Sequence, residues 1–327
     1  MKKIYIVAPG NQTSGGPELC HQLADILNRD IERAFILYYP FIKEHEIPSR
    51  YQKYNFRAAR LQDVEPGSIV IVPEVFALLV KLFPNADVYF WWLSVDNFFT
   101  IVGQTSVAKY LGSQRAAKLQ LRGLRHRVSR HLYQSEYARI FLESVALDPT
   151  HRLSDCLADE YVHAITNWRE SPRDDLLVYN PAKGLARTEL ILNALAENRN
   201  RRMPQVVAIE GMQPNQVLKL LQRAKVYIDF GAHPGKDRLP REAAALGACV
   251  IVNRRGSAAN PTDVPIPEDF KIDDRISGFE NAVAQKIHML MDQYEEQRKR
   301  FAPYRQAIAN EPAGFLSDIR AIFPTQT

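Results

Sequence analysis

The sequence predicts an α/β fold made of two Rossmann-like domains, each a parallel sheet covered by helices. Three observations predict it. Short apolar runs alternate with amphipathic helical stretches along nearly the whole chain, the pattern of βαβ units. The alternation pauses once, at the polar, proline-bearing residues 166–175, and then restarts. The length of 327 residues suits two domains of ~100–200 residues each. The expected domains are residues 1–165 and 176–327, with 166–175 as the linker and the final helix placed to pack back on the first domain. Ligands of open α/β sheets bind at the carboxyl ends of strands, so two such edges facing across a cleft are the expected site.

Residues 3–8 form a continuous apolar run, as a buried parallel strand requires. A glycine-containing turn follows, and then Leu19, Leu23, Ile26 and Leu27 recur at helical spacing. Residues 34–39, 68–72, 88–93 and 131–135 read as further strands, and 136–145 as a helix. In the second half, strands are expected at 176–179, 205–209, 226–230 and 249–253. Helices are expected at 185–195, 215–224 and 240–246, then a long charged one over 277–309 and a short one over 314–322.

Composition narrows the function classes. A hydrophobic fraction of 46% and a charged fraction of 24% exclude a disordered or collagen-like chain. The net charge of +5 is mild, so only its distribution is informative. Cys20, Cys156 and Cys249 form no CxxC pair, which argues against a disulfide scaffold and for a reducing compartment. The first apolar run is too short for a signal-peptide core and breaks at Pro9-Gly10. Residues 88–108 are interrupted by Asp96, Asn97, Gly103 and Gln104 and do not read as a membrane span. A cytoplasmic protein is expected.

Three strand-to-helix turns carry candidate chemistry. In the loop over 9–17, Gly15 and Gly16 allow close backbone approach and Pro17 suits a first helical turn, whose free N–H groups attract anions. The loop is not GxGxxG, which argues against a nicotinamide dehydrogenase. Tyr179-Asn-Pro-Ala-Lys-Gly184 offers Lys183 as a point charge for phosphate. Residues 231–247 bring His233, Lys236, Arg238 and Arg241 beside a helix start near Pro240, with Glu242 placed to accept ribose hydroxyls from the first turn. Each has a plainer reading as well: a tight turn, a solvated lysine, a structural histidine, or a glutamate opposing the helix dipole.

Together these segments resemble the nucleotide-sugar glycosyltransferases of the GT-B fold, particularly the large, mostly retaining family that builds bacterial surface polysaccharides. Gly15-Gly16 matches that family's N-terminal glycine loop, and Lys183-Gly184 its Lys-Gly motif. Glu242-Ala-Ala-Ala-Leu-Gly247 resembles its Glu-Ala-x-Ala-x-Gly segment. The resemblance implies a GT-B protein, two Rossmann-like parallel-sheet domains facing across a cleft, that transfers a hexosyl or deoxyhexosyl unit from a nucleotide-diphosphate sugar. It implies diphosphate binding by Lys183 and Gly184 and ribose binding by Glu242. Asn180, Lys236, Arg238 and Arg241 complete the implied donor site, with Glu210 and Gly211 near the base and Gly15 and Gly16 on the other domain. Where the family has a second glutamate, eight positions before Glu242, stands Pro234, flanked by His233; the His-Pro-Gly phrase resembles rhamnosyltransferase-like members. Where the family often has a histidine after the fourth strand, this chain offers Asp96. His233 and Asp96 are therefore the candidate catalytic residues. A degenerate member that binds nucleotide or glycan without turnover is the alternative.

No Asp-x-Asp triplet occurs, so no metal is expected and the leaving diphosphate must be neutralised by Lys183, Lys236, Arg238 and helix N-termini. No other cofactor is implied. Between Asp96 and Glu136 there is no acidic residue. Arg115, Lys118, Arg122 and Arg125 share one helical face, and Ala117, Leu121, Leu124 and Val128 another. Residues 109–130 have two readings, an ordinary half-buried helix with a solvated basic face or a peripheral contact with an anionic membrane surface without insertion; a glycan or lipid-linked acceptor is the other expected partner. Nucleic acid is not expected, because Trp91, Trp92, Phe98 and Phe99 are not interleaved with the cations.

Overall fold

The computed structural model describes residues 2–30, 33–166 and 172–324. The apolar runs become strands of two all-parallel sheets in two units, Met1–Asp155 with Ala313–Thr327, and Cys156–Pro312. Of the expected linker, residues 167–171 lie outside the described residues.

The first sheet contains β1 (Ile4–Pro9), β2 (Ala34–Tyr39), β3 (Arg57–Ala59), β4 (Ile69–Pro73), β5 (Asp87–Trp92), β6 (Arg130–Tyr133) and β7 (Pro149–Arg152). Their order is β3-β2-β1-β4-β5-β6-β7. The second contains β8 (Asp174–Tyr179), β9 (Gln205–Ala208), β10 (Ala224–Asp229), β11 (Cys249–Asn253) and β12 (Lys271–Ile272), in the order β12-β11-β10-β8-β9. The central strands β1, β4, β10 and β11 are buried along almost their whole length. Such strands must be apolar on both faces, which is why they stand out in the sequence. The edge strands β3, β7 and β12 do not stand out. They are short and polar, because an edge needs only one partner ladder.

The helix expected over 277–309 is broken into Phe279–Asp292, Tyr294–Gln297, a 3-10 turn Arg298–Phe301 and Ala302–Ala309. Gln293 leaves the helical region at φ −118°, and Pro303 enters the first turn of the last piece, where a missing N–H costs nothing.

Each unit has its own apolar core. In the first, the fully buried Trp91 and Trp92 of β5 donate their ring N–H groups to the Leu153 carbonyl at 2.9 Å and to His131 Nδ1 at 3.2 Å. Burial also pushes the His131 pKa down to about 4, so its ring stays neutral and Nδ1 stays an acceptor. Helix starts are capped by their own sequence signals: Ser94 and Ser135 accept from the N–H groups of Asn97 and Ala138 at 3.2 and 3.1 Å.

Two places position candidate sites. β1 is flanked by β2 and β4, and β8 by β9 and β10, so the strand order reverses at these points. Loops leaving the carboxyl ends of such neighbouring strands open a crevice.

Candidate functional site

In the second unit, the crevice lies between the loops after β8 and β10, and it brings together two of the three turns picked out by sequence. Asn180 shapes the first loop, its side-chain oxygen accepting from the Ala182 N–H at 3.0 Å. Gly184 then sits in the left-handed region at φ +64°, against the backbone of the second loop. A Cβ on Gly184 would lie 2.2 Å from the Phe230 carbonyl oxygen. Gly256, after β11, is equally confined, its Cβ position 2.0 Å from the His233 carbonyl oxygen. Three loops are thus packed backbone to backbone. Gly184→Ala is expected to lower stability by about 2 kcal/mol, through the clash and the strained φ together. Urea unfolding of the two proteins checks it; an unchanged midpoint would mean the loops are not packed this way.

Charged groups fill this junction. His233 is only 1% exposed and takes a left-handed φ of +49°. Its Nδ1 lies 3.0 Å from Asp237 Oδ2, and its Nε2 lies 3.2 Å from the Asp229 carbonyl oxygen. The other Asp237 oxygen accepts from Lys183 Nζ. Asp229 accepts from the Gly231 N–H at 3.0 Å and from the Tyr227 hydroxyl at 3.2 Å. Burial opposes a charge on His233, but the Asp237 hydrogen bond and the two carboxylates outweigh it and raise its pKa. Burial likewise pushes Asp237 up, but His233 and Lys183 outweigh it and hold the carboxyl down at about 2. For Asp229 burial wins, and its pKa is raised. Asp229, His233 and Asp237 place ligand-capable atoms within 4.8 Å of one another. Lys183, and His233 when protonated, supply the counter-charge that a cation would supply there.

The third turn supplies the helix Arg238–Ala245, with Asp237 as N-cap. It begins two residues earlier than expected, so Glu242 lies in the second turn and is buried. Pro240 is still tolerated, because the first four N–H groups have no partner within the helix. Lys236 and Arg241 turn to Glu311 at 3.0 and 2.9 Å. Arg241 is 1% exposed and also donates to the carbonyls of Lys236 and Asp237, so it stitches the loop together. Under the loop, between His233, Asp237, Arg241 and Tyr304, is a cavity of about 10 Å³, room for at most one water. That cavity is too small for a nucleotide, while Lys183 and Arg238 are partly exposed. Glu210 and Gly211 follow β9, on the other flank of β8, and both are exposed.

Gly15, Gly16 and Asp96 belong to the first unit. Gly15 and Gly16 open the helix Gly15–Asp30, and the Ser14 N–H just before it donates to the Tyr51 hydroxyl at 3.2 Å. Asp96 lies in the first turn of the helix Val95–Gly103 and accepts from the Tyr137 hydroxyl at 3.2 Å. Sequence reasoning missed Glu74. It follows β4 directly, at the crevice of this sheet, and is 1% exposed. Its Oε2 accepts from the Leu93 N–H at 3.0 Å, and burial pushes its pKa up to about 8. The one signal for it in the sequence was its place after the apolar run of β4.

No protein-family model matches the sequence, and no curated protein matches it. Solved structures match the fold. Sucrose-phosphate synthase from Thermosynechococcus elongatus gives a TM-score of 0.67 over 99% of this chain and 98% of its own, at 11% identity. HepE from Anabaena, in complex with UDP-glucose, gives 0.65 over 98% and 99%, at 10% identity. An α,α-trehalose-phosphate synthase (UDP-forming) from Burkholderia vietnamiensis gives 0.59 over 98% of each chain, at 11% identity. The fold is GT-B. The likeness to these GT-B glycosyltransferases covers almost the full length of each, and at this identity it is a likeness of fold. Among the described residues, no helix of this GT-B chain is long and apolar enough to cross a membrane.

Proposed function

We propose that this chain is a glycosyltransferase that moves a hexosyl or deoxyhexosyl unit from a nucleotide-diphosphate sugar to a glycan or lipid-linked acceptor. The observation that carries the reading is the meeting of the Lys183–Gly184 and Gly231–Asp237 loops at the strand-order reversal, in front of the helix Arg238–Ala245. That is where an α/β sheet presents N–H groups and cations to a diphosphate. Lys183 and Arg238 hold the diphosphate from the outer side. Glu242 accepts from the ribose hydroxyls, and Glu210 and Gly211 border the base. Lys236, Arg241 and His233 act through the loop, since their polar ends are buried against Glu311 and Asp237, whereas Lys183, though also paired with Asp237, is partly exposed.

In the reaction the bond from the sugar's anomeric carbon to phosphate oxygen breaks, and a bond to the acceptor oxygen forms. With retention, which the family resemblance implies, the departing phosphate takes the acceptor's proton and Asp96 orients the acceptor. The cations and helix N–H groups stabilise the growing phosphate charge, so the reading needs no metal ion. The protein works in the cytoplasm, with residues 109–130 at the inner membrane face.

Saturating UDP-, GDP- and dTDP-sugars, UDP-glucose first because HepE was crystallised with it, should raise the melting temperature. Glu242→Ala should abolish the shift. No shift with any nucleotide would sink the reading. Pro234 where a glutamate would face the sugar, with His233 buried, supports a second reading: a GT-B protein that binds nucleotide or glycan as an assembly partner. Binding without transfer or donor hydrolysis would favour it.

A further inference from the structure

The basic segment of the first unit forms two short helices, Ser106–Leu111 and Ser113–Arg127, joined at Gly112 with φ +80°. In the second helix Ala116, Ala117 and Leu124 are buried, which fixes the inward face. At 100° per residue Arg115, Lys118, Leu119, Arg122 and His126 fall on the opposite face, and all are exposed. The first helix buries Ala108 alone and exposes Val107, Lys109, Tyr110 and Leu111. Tyr110 is 89% exposed, beside the turn. From Asn97 to Ser135 the chain holds no acidic residue to neutralise the seven cations there. Arg125 is spent internally, its guanidinium donating to the carbonyls of Val145 and Ala146 at 3.2 and 2.9 Å.

We propose that this helical pair docks the chain on an anionic lipid surface, with Arg115, Lys118 and Arg122 against the headgroups and Val107, Tyr110 and Leu111 reaching the interface. It deepens the acceptor half of the proposed function and rests on that reading only for the acceptor's location. The chemistry favours lipid over the other polyanions. Exposed aliphatic side chains and a tyrosine beside a cationic face suit the headgroup boundary. Single-stranded nucleic acid is held by several aromatic platforms interleaved with the cations, whereas Tyr110 is the one exposed Phe, Tyr or Trp of this helical pair, and Trp91 and Trp92 are buried.

Vesicle flotation of the full-length protein tests this, using phosphatidylcholine alone and phosphatidylcholine with about a quarter phosphatidylserine. Binding is expected only to the anionic vesicles. Charge reversal at Arg115, Lys118 and Arg122 together should weaken it at least about a hundredfold, since each basic residue at such a surface contributes roughly a fivefold change. The neutral Arg115→Gln, Lys118→Gln, Arg122→Gln variant gives the same answer should the reversed one not fold. Val107→Ser with Tyr110→Ser should weaken the binding that persists in high salt about tenfold. Equal binding to neutral vesicles, no binding, unchanged binding by the charge variants, or displacement of vesicles by stoichiometric RNA would each overturn the proposal. The donor-induced melting shift, measured on the same variants, should persist. Its absence from the wild type would concern the second unit's site and leave the vesicle result standing.

Discussion

Asp237→Ala is expected to destabilise the protein by about 3–5 kcal/mol near pH 6, the range for removing one partner of a buried ion pair. Lys183 is partly exposed and can turn to solvent, so the cost falls mainly on His233, which has almost no access to water. Without Asp237 its ring keeps only Asp229 as an acidic neighbour, with Nε2 3.7 Å from the carboxylate. The sign of the pH effect follows from two shifts. His233 has a raised folded pKa, so its contribution is complete below about 6.5 and is lost as pH rises through the folded value. Asp237, held at about 2, contributes above about 3.8 and loses that as pH falls toward 2. The cost of Asp237→Ala should therefore be largest between these limits, near pH 4–6, and shrink above the His233 pKa. At ~2–4 °C per kcal/mol, melting should fall by about 6–20 °C near pH 6. Asp237→Asn keeps the shape and one acceptor but not the charge, and should fall between. Equal losses at pH 6 and pH 9 would show that the pair works by packing alone.

This junction also shows how far the sequence could be read. Lys183-Gly184 and the loop from Gly231 were legible because a glycine between an apolar run and a helix start usually marks a tight turn where backbones approach closely. The orientation of His233 was not. Asp229, His233 and Asp237 are spaced by four residues, yet no helix spans them. They meet because His233 adopts a left-handed backbone held by Ser257, whose N–H donates to its carbonyl at 2.9 Å. The engagement of Lys236 and Arg241 was equally hidden, because Glu311 lies 75 and 70 residues further along. Local pattern identifies cations beside a helix start; only the tertiary fold shows which of them are already paired. In the first unit, the alternating runs gave away β1, β2, β4, β5 and β6. A single glutamate after a proline gives no sign that its strand borders the reversal of strand order.

Glu74→Gln should stabilise the protein at pH 8 by roughly 4 kcal/mol and change little at pH 4.5. In the unfolded chain Glu74 ionises near 4.5, while in the folded protein burial holds its proton until about pH 8. Between those values the folded state binds the extra proton, so stability falls as pH rises through the window. The amide is isosteric with the protonated acid and keeps an oxygen for the Leu93 N–H, so the variant removes the cost without the contact. Cys20, a titratable neighbour, stays a neutral thiol because burial pushes its pKa up to about 12. His131 acts in the opposite direction. Its folded pKa of about 4, against about 6.5 unfolded, makes stability fall as pH drops through that interval. The His131 and Glu74 slopes oppose each other from about 4.5 to 6.5; above about 6.5 the Glu74 decline runs in the same direction as the loss of the His233 contribution, so the difference between wild type and Glu74→Gln isolates it. Urea midpoints of wild type and Glu74→Gln across pH 4.5–8.5 measure it directly. Parallel curves would mean that the carboxyl is already ionised in the folded protein, and that the turn carrying Asp96 is held by a charge instead of a neutral acid.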